Sequence, residues 1–143
     1  MDQVITATRY HDFSAGHRVY GHENKCRHLH GHNYRVTWTV GSLVGLDTVG
    51  RVVDFGVINE KLCQWLEHHW DHRMLLWEND PMLGPLQAID PTVVALSFNP
   101  TAENMADHLI NVVGPQQLGN SGLVVLGVTV EETRKCSAAV RNR

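Results

Sequence analysis

The sequence predicts an α+β domain, in which an antiparallel four-stranded sheet carries two helices on one face. Apolar and polar residues alternate from about His30 to Val40, which is the period of a half-buried strand. Two later segments repeat apolar residues at three- and four-residue spacing, as amphipathic helices do. Strand-like segments precede and follow these helices. Strands and helices that segregate in this way along a chain favour an antiparallel sheet with its helices on one face.

The four predicted strands form two pairs, one near each end of the chain. The first strand, from about Val4 to Ala15, is rich in β-branched and aromatic residues and precedes the alternating run. The last two strands are predicted at Leu123 to Glu132 and at Cys136 to Val140. Only a short connection separates these last two, so we expect them to be neighbours in the sheet.

The two predicted helices begin at polar capping residues. Asp54 is the expected N-cap of a helix that runs to about His69. Thr101, which follows a proline, is the expected N-cap of the second helix. Gly114-Pro115 is expected to end that second helix.

The stretch from Arg73 to Asn99 lies between the two helices. It contains three prolines and a glycine, so we expect a long connection with a short helical turn near Met82–Ile89. A connection of this kind leaves the sheet with four strands.

Length and composition are those of one ordinary globular domain, residues 1–143. The chain is 43% hydrophobic and 19% charged, and its net charge of -3 gives no general reason to bind nucleic acid or a membrane surface. Neither a secretion leader nor a run of 18 apolar residues occurs, so we expect a cytoplasmic protein. The odd number of cysteines, three, is typical of a reducing compartment.

A histidine-rich segment predicts a metal site. His30 and His32 stand two residues apart at the head of a strand, so both imidazoles project from the same face. His17 ends the preceding strand, and a hairpin brings the ends of its two strands within about 5 Å. Three imidazoles leave a tetrahedral ion one open position, as in catalytic zinc, and no carboxylate in the cluster completes an iron-type triad. His28 shares the strand parity and remains an alternative ligand.

Cys26 lies four residues before His30, and two roles compete for it. As a fourth ligand it would close a structural metal site. As a free thiolate, favoured by the ion and by Lys25 and Arg27, it would act as a base or nucleophile.

Two carboxylate-bearing pairs are further candidates. Asp71 directly precedes His72, and a carboxylate beside an imidazole fixes its tautomer and raises its basicity, as a proton relay requires. Glu131 and Glu132 end a predicted strand, whose alternation puts one carboxylate on each face.

Several of these motifs, taken in order, resemble the signature of the 6-pyruvoyltetrahydropterin synthase family. The first two are FSAGH at 13–17 and CRHLHGHNY at 26–34. Further matches are VDFG at 53–56, DH at 71–72, PTAEN at 100–104 and VTVEET at 128–133. The three-residue gap between Cys26 and His30 resembles the queuosine-pathway branch of the family, 6-carboxytetrahydropterin synthase.

The resemblance implies a tunnelling fold, in which the domains assemble into a ring with active sites at subunit boundaries. The ring is usually a homohexamer, a dimer of trimers. The resemblance also assigns roles to individual residues: Zn²⁺ ligands His17, His30 and His32, catalytic Cys26, Asp71 and His72, pterin anchor Glu132, and supporting Thr101 and Glu103.

The implied reaction is that of a carbon-carbon lyase acting on a small pterin. It converts 7,8-dihydroneopterin triphosphate to 6-carboxy-5,6,7,8-tetrahydropterin and releases acetaldehyde and triphosphate. Lys25, Arg27 and Arg35 are candidates for binding the triphosphate on charge alone. The alternatives are 6-pyruvoyltetrahydropterin synthesis, a hydrolase that uses zinc-bound water, and a non-catalytic zinc-stabilised oligomer in which Cys26 is the fourth ligand.

Overall fold

A hairpin of two long strands forms the centre of the computed structural model, which describes residues 2–142. Met1 and Arg143, the ends of the predicted domain, lie outside these residues. Strand β1 (Ala7–His17) pairs antiparallel with β2 (His30–Ser42) along its whole length. The pairing ends with His17 opposite His30, so the hairpin brings the histidine-rich ends of both strands together.

The sheet has six strands in the order β4-β3-β1-β2-β5-β6. Strand β5 (Leu123–Glu131) pairs antiparallel with β2, and β6 (Ser137–Arg141) pairs antiparallel with β5. Strands β3 (Met74–Trp77) and β4 (Val94–Leu96) add to the β1 edge in parallel. The four expected strands are therefore present, and their ends differ from the predicted ones by at most three residues.

The prediction of a purely antiparallel four-stranded sheet was wrong, because the connection between the helices contributes β3 and β4. These strands are four and three residues long, too short to show a period in the sequence. The helix between them, α2 (Leu83–Ile89), provides the crossover that parallel strands need. The expected helical turn in this stretch is confirmed.

Two longer helices begin at the predicted caps. Helix α1 follows Asp54, whose carboxylate accepts a hydrogen bond from Gly56 N at 2.8 Å. Its three consecutive parts are α-helical Phe55–Ile58, π-helical Asn59–Cys63 and α-helical Gln64–His69. Helix α3 follows Thr101, whose hydroxyl accepts from Asn104 N at 3.1 Å. Its parts are α-helical Ala102–His108, π-helical Leu109–Val113 and α-helical Gly114–Leu118. No helix within residues 2–142 has the length and apolar character that a membrane span requires.

Helix α3 continues past the predicted stop at Gly114-Pro115. The turn before the proline is π-helical and is closed by a hydrogen bond from Gly114 N to the Leu109 carbonyl. In a regular α-helix the proline ring would clash with the carbonyl four residues earlier. The wider π turn changes the position of that carbonyl, so the helix passes through Pro115 and ends at Leu118.

Both long helices cover the same face of the sheet, as predicted. Alternate residues of β2 point into this interface and are fully or almost fully buried, namely Tyr34, Val36, Trp38 and Val40. The helices contribute Leu62, Leu66, Met105 and Leu109 to the same core. Residues of the other parity on β2 lie on the opposite face, which we call the open face.

Candidate metal centre

Three imidazoles converge on the helix-covered side of the β1–β2 hairpin. His17 lies opposite His30 in the strand register, and His32 follows on the same face of β2. One ligand nitrogen from each ring lies within 4.8 Å of the others, and the Nε2 atoms of His17 and His30 are 3.1 Å apart. The spacing of these residues thus brings together the three imidazoles that the sequence predicts. A metal ion could bind to this group, which we call the histidine group.

Backbone carbonyls fix the orientation of two of these rings. The Nδ1 atom of His17 lies 2.7 Å from the Pro100 carbonyl oxygen, and that of His30 lies 2.7 Å from the His28 carbonyl oxygen. A carbonyl oxygen only accepts hydrogen bonds, so Nδ1 carries the hydrogen in each ring. The lone pair of each Nε2 is then directed at the centre of the group, where a metal ion would bind.

Burial favours the neutral form of His17 and His32, which is the form that binds metals. Burial lowers the pKa of His17 to about 4, with the charges of His30 and His32 adding to the effect and the Pro100 hydrogen bond opposing it. Burial and the charge of His30 also lower the pKa of His32. The buried Nε2 of His32 has no hydrogen-bond partner. These features fit a metal ligand, because an unpaired buried nitrogen is otherwise unfavourable.

Cys26 lies on the 3₁₀ turn Lys25–Arg27 just before β2, and it is half-buried. Within residues 2–142, the ligand atoms that lie within 4.8 Å of one another belong to the three histidines, and the Cys26 sulfur is not among them. The Cys26 turn is nonetheless close to the histidine group, because the backbone N–H of Val19, two residues after His17, donates to the Cys26 carbonyl at 2.7 Å. The thiol itself is outside the set of converging ligand atoms. The ring of His28 is likewise outside the group.

A carboxylate borders the histidine group on the β5 side. The Oε2 atom of Glu132 lies 3.9 Å from His32 Nε2. Burial raises the pKa of Glu132, the nearby charge of Glu103 adds to this effect, and His30 opposes it. Glu131 instead pairs in register with Arg35, which lies on the open face. Of the two candidate carboxylates, Glu132 is therefore the one beside the histidines.

The Asp71–His72 pair is held against the edge of β1 by two hydrogen bonds to Ser14, and a third bond joins the two side chains. Asp71 Oδ1 accepts from Ser14 N at 3.0 Å, and Oδ2 accepts from His72 Nδ1 at 2.7 Å. The backbone N–H of His72 donates to the Ser14 carbonyl at 2.6 Å. Burial alone would raise the pKa of Asp71, but the bonds from Ser14 and His72 outweigh it, and the pKa lies below its ordinary value.

The backbone at His72 is strained, with a positive φ of 59° that residues other than glycine rarely adopt. Its side chain is 80% exposed. The structure thus presents the free Nε2 of this imidazole to solvent while Asp71 holds the other nitrogen.

The Asp71–His72 pair lies apart from His17 and His30 of the histidine group, at the edge of β1. His72 borders the open face, where Ser14 donates a hydrogen bond to Asn33 at 2.8 Å. A cavity of about 980 Å³ opens here and is lined by Asp71 and His72 together with His32 and Glu132, whereas His17, His30 and Cys26 do not line it. Sequence reasoning could not place His72 relative to the three histidines, because its position depends on the strand register.

The three basic candidates for an anion site lie in two different places. Arg35 lies on the open face, where Asp12 accepts two of its hydrogen bonds, at 2.8 and 3.0 Å, and the Tyr10 ring packs 3.8 Å from its guanidinium carbon. Lys25 and Arg27 share the short turn of Cys26. Two of the three candidates therefore lie in the turn that precedes His30.

Comparison with known proteins assigns the family. The model of the family described as 6-pyruvoyl tetrahydropterin synthase matches residues 6–143. The chain belongs to this family. The 6-pyruvoyl tetrahydropterin synthases are enzymes, and the matched segment includes the histidine group and every other candidate residue described above.

Sequence relatives within the family match over their whole length. The chain is 38% identical over 141 residues to a 6-carboxy-5,6,7,8-tetrahydropterin synthase of Rickettsia bellii, covering 96% of this chain and 100% of the relative. The protein of the same name from Rickettsia typhi is 35% identical over 139 residues, with the same coverage.

Solved structures share the fold of this family member. An uncharacterized protein from Wolinella succinogenes superposes with a TM-score of 0.85 at 24% identity, covering 99% of this chain and 100% of the other. The 6-pyruvoyl tetrahydropterin synthase of Caenorhabditis elegans gives a TM-score of 0.70 at 23% identity, covering 99% and 97%. The fold is therefore that of the 6-pyruvoyl tetrahydropterin synthases, with a curled mixed sheet.

Proposed function

We propose that this family member is a zinc-dependent carbon-carbon lyase. It would convert 7,8-dihydroneopterin triphosphate to 6-carboxy-5,6,7,8-tetrahydropterin and release acetaldehyde and triphosphate. The observation that carries the proposal is the set of three imidazoles whose ligand nitrogens lie within 4.8 Å of one another, bordered by the Glu132 carboxylate at 3.9 Å from His32. The full-length relatives named 6-carboxy-5,6,7,8-tetrahydropterin synthase support this choice of product.

His17, His30 and His32 would hold the zinc ion. Three nitrogen ligands suit tetrahedral zinc and leave its fourth position for substrate. When bound, zinc supplies a Lewis acid that polarises the side-chain oxygens of the pterin and acidifies the adjacent C–H and O–H bonds. The hydrogen bonds from His17 and His30 to backbone carbonyls would keep both ligands oriented before the ion arrives.

Glu132 would anchor the pterin ring. A carboxylate accepts two parallel hydrogen bonds from the guanidine-like edge of a pterin, and its partial burial strengthens such bonds. Glu103 lies close enough to raise the pKa of Glu132, so it would favour binding of a hydrogen-bond donor between the two carboxylates. Thr101 supports this arrangement indirectly, since its hydroxyl caps the helix that carries Glu103.

Cys26 would move a proton on one side of the substrate. Its half-buried thiol lies beside the histidine group, and Lys25 and Arg27 flank it in the turn. A bound dication nearby would supply the charge that stabilises a thiolate, which is the basic form. A base at this position can remove a proton from a side-chain carbon next to the polarised oxygens.

Asp71 and His72 would move the second proton, and we propose that they act on the site of a neighbouring chain. Within one chain they line a cavity with His32 and Glu132, but His17, His30 and Cys26 do not line it. A ring with active sites at subunit boundaries, such as a dimer of trimers, would bring the His72 imidazole of one chain to the histidine group of the next. Asp71 would hold the imidazole in the tautomer whose Nε2 accepts a proton.

Mass spectrometry of anaerobic reactions with 7,8-dihydroneopterin triphosphate tests this function. Zinc-loaded protein is compared with chelated protein and with chelated protein to which zinc is restored. We expect 6-carboxytetrahydropterin and acetaldehyde only where zinc is present. A pyruvoyl product would instead identify the activity as 6-pyruvoyltetrahydropterin synthesis. Unchanged substrate with every preparation would contradict the proposed reaction.

A further inference from the structure

We propose that Arg18 is a positioning residue that holds the Cys26 turn beside the histidine group, with Asp80 as its anchor. The proposal deepens the function proposed above and rests on a role for Cys26 in that reaction. Arg18 directly follows His17 in the sequence, and Asp80 lies in the stretch between the two long helices. The ion pair therefore connects that stretch to the candidate site.

Asp80 is a buried carboxylate whose two oxygens are both bonded. The residue is 3% exposed, and its side chain is inaccessible. Arg18 donates from Nε to Oδ2 at 2.7 Å and from Nη2 to Oδ1 at 2.5 Å, and Met82 N donates to Oδ1 at 2.8 Å. These hydrogen bonds compensate a charge that would otherwise be very unfavourable inside the protein. The fork fixes the plane and direction of the guanidinium group.

The remaining nitrogen of that guanidinium reaches the Cys26 turn. Arg18 Nη1 donates to the Arg27 carbonyl at 3.3 Å. The next residue, Val19, donates from its backbone N–H to the Cys26 carbonyl at 2.7 Å. Arg18 and Val19, the two residues that follow His17, thus donate hydrogen bonds to the carbonyls of Arg27 and Cys26 in the turn. The position of Cys26 is in this way tied to the strand that carries His17.

The turn has few other attachments. None of its residues, Lys25–Arg27, is buried, and the preceding Asn24 makes no side-chain capping bond. The Arg27 guanidinium bonds to the Glu23 carbonyl at 3.1 Å, which lies in the same loop and does not attach the turn to the rest of the protein. Because core packing does not hold the turn, we assign its placement largely to the bonds from Arg18 and Val19.

Lysine cannot replace Arg18 in this role. A guanidinium directs two donors at the carboxylate and a third at the Arg27 carbonyl, whereas an ammonium is a single point on a flexible stem. The Arg18→Lys variant keeps the charge next to Asp80 but loses the link to the turn. The fold should therefore survive the change while the turn loosens.

Hydrogen exchange and steady-state kinetics of the zinc-loaded enzyme test the proposal. In Arg18→Lys we expect amide exchange in residues 19–28 to rise by about tenfold, as loss of a charge-assisted hydrogen bond predicts. We also expect kcat to fall by about tenfold with KM within about twofold of wild type, because the base is displaced while the pterin contacts remain. Zinc content should be unchanged.

Arg51→Lys is the matched control. Arg51 also pairs with carboxylates, Asp47 at 2.9 Å and Asp54 at 3.4 Å, but on the surface and without contact to the Cys26 turn. Asp80→Asn is a second variant that leaves Arg18 in place and loosens its anchor. We expect both site variants to raise exchange in residues 19–28 and the control to leave exchange unchanged.

Two results would overturn the positioning role. One is wild-type exchange in residues 19–28 of both site variants. The other is exchange that rises equally in all peptides of Arg18→Lys, which would show general destabilisation by the variant that keeps the charge beside Asp80. The exchange measurement needs no substrate, so it separates a failure of this proposal from a failure of the proposed reaction, in which wild-type enzyme leaves the pterin unchanged.

Discussion

The Nε2 atoms of His17 and His30 lie 3.1 Å apart, and the Nδ1 atom of each ring is bonded to a backbone carbonyl oxygen. With both hydrogens on Nδ1, the two Nε2 lone pairs face each other. Such a contact is repulsive unless a cation lies between or beside the two nitrogens. The hydrogen-bonding pattern of the rings is therefore itself an argument for a bound metal.

Removal of the metal should destabilise the protein. At a free zinc concentration about 100 times its Kd, binding stabilises the folded state by about 2.7 kcal/mol, which chelation would abolish. Thermal denaturation with and without chelator measures this effect. His17→Ala is the control, and its melting temperature should not respond to zinc. If zinc raised the melting temperatures of wild type and His17→Ala equally, the metal would have to bind at another site.

Replacing Cys26 by alanine distinguishes the two roles left open by the sequence. We expect Cys26→Ala to retain zinc and its melting temperature while kcat falls by about 100-fold or more, since the variant lacks a proton-transfer group. Zinc content after dialysis and turnover measure the two effects. Cys136→Ala is a matched control, because this thiol is exposed in the connection between β5 and β6. Loss of zinc from the Cys26 variant would support a fourth ligand.

Mixed oligomers test whether the active site is shared between chains. Cys26→Ala and His72→Ala should each be nearly inactive alone. If each site combines Cys26 of one chain with His72 of another, random mixing restores wild-type pairs in about one quarter of the sites. Activity after unfolding and refolding the two variants together measures this recovery. A mixture no more active than its components would mean that both groups act within one chain.

The ion pair between Arg18 and Asp80 should make stability depend on pH in the acid range. Hydrogen bonding from Arg18 holds the pKa of Asp80 below its ordinary value of 3.8. The folded form therefore binds the proton less readily than the unfolded form. This stabilisation is complete above about pH 4 and is lost as the pH falls through the folded pKa.

Asp80→Asn measures that contribution. We expect the variant to be less stable than wild type by roughly 3 kcal/mol at neutral pH, since it disrupts a buried pair. The difference should shrink as the pH falls below about 4. Denaturation at a series of pH values gives both quantities. A difference that stays constant across the acid range would contradict the assignment of the charge to Asp80.

The sequence predicted those parts of the fold that show in local patterns. The alternation along β2 correctly predicted which of its residues are buried. The capping residues Asp54 and Thr101 correctly predicted where both long helices begin. The short parallel strands β3 and β4 could not be recognised, because three or four residues show no period. The continuation of α3 through Pro115 depends on a π turn that no residue type signals.

The same distinction applies to the candidate site. The three histidines follow one another along a hairpin, so their convergence could be predicted from strand geometry. The partnership of Arg18 and Asp80 joins residues 62 positions apart and leaves no trace in the spacing of the sequence. The position of His72 relative to the three histidines depends on the register of β1 against its neighbours, which only the fold provides.

Zinc titration of the metal-free enzyme tests the central claim most directly. Acetaldehyde release from 7,8-dihydroneopterin triphosphate is followed while zinc is added in steps. The account predicts release that is absent without zinc, rises in proportion to it and reaches a plateau at about one ion per chain, as one three-histidine site requires. Full release from metal-free enzyme, or zinc binding at that stoichiometry without any release, would contradict it.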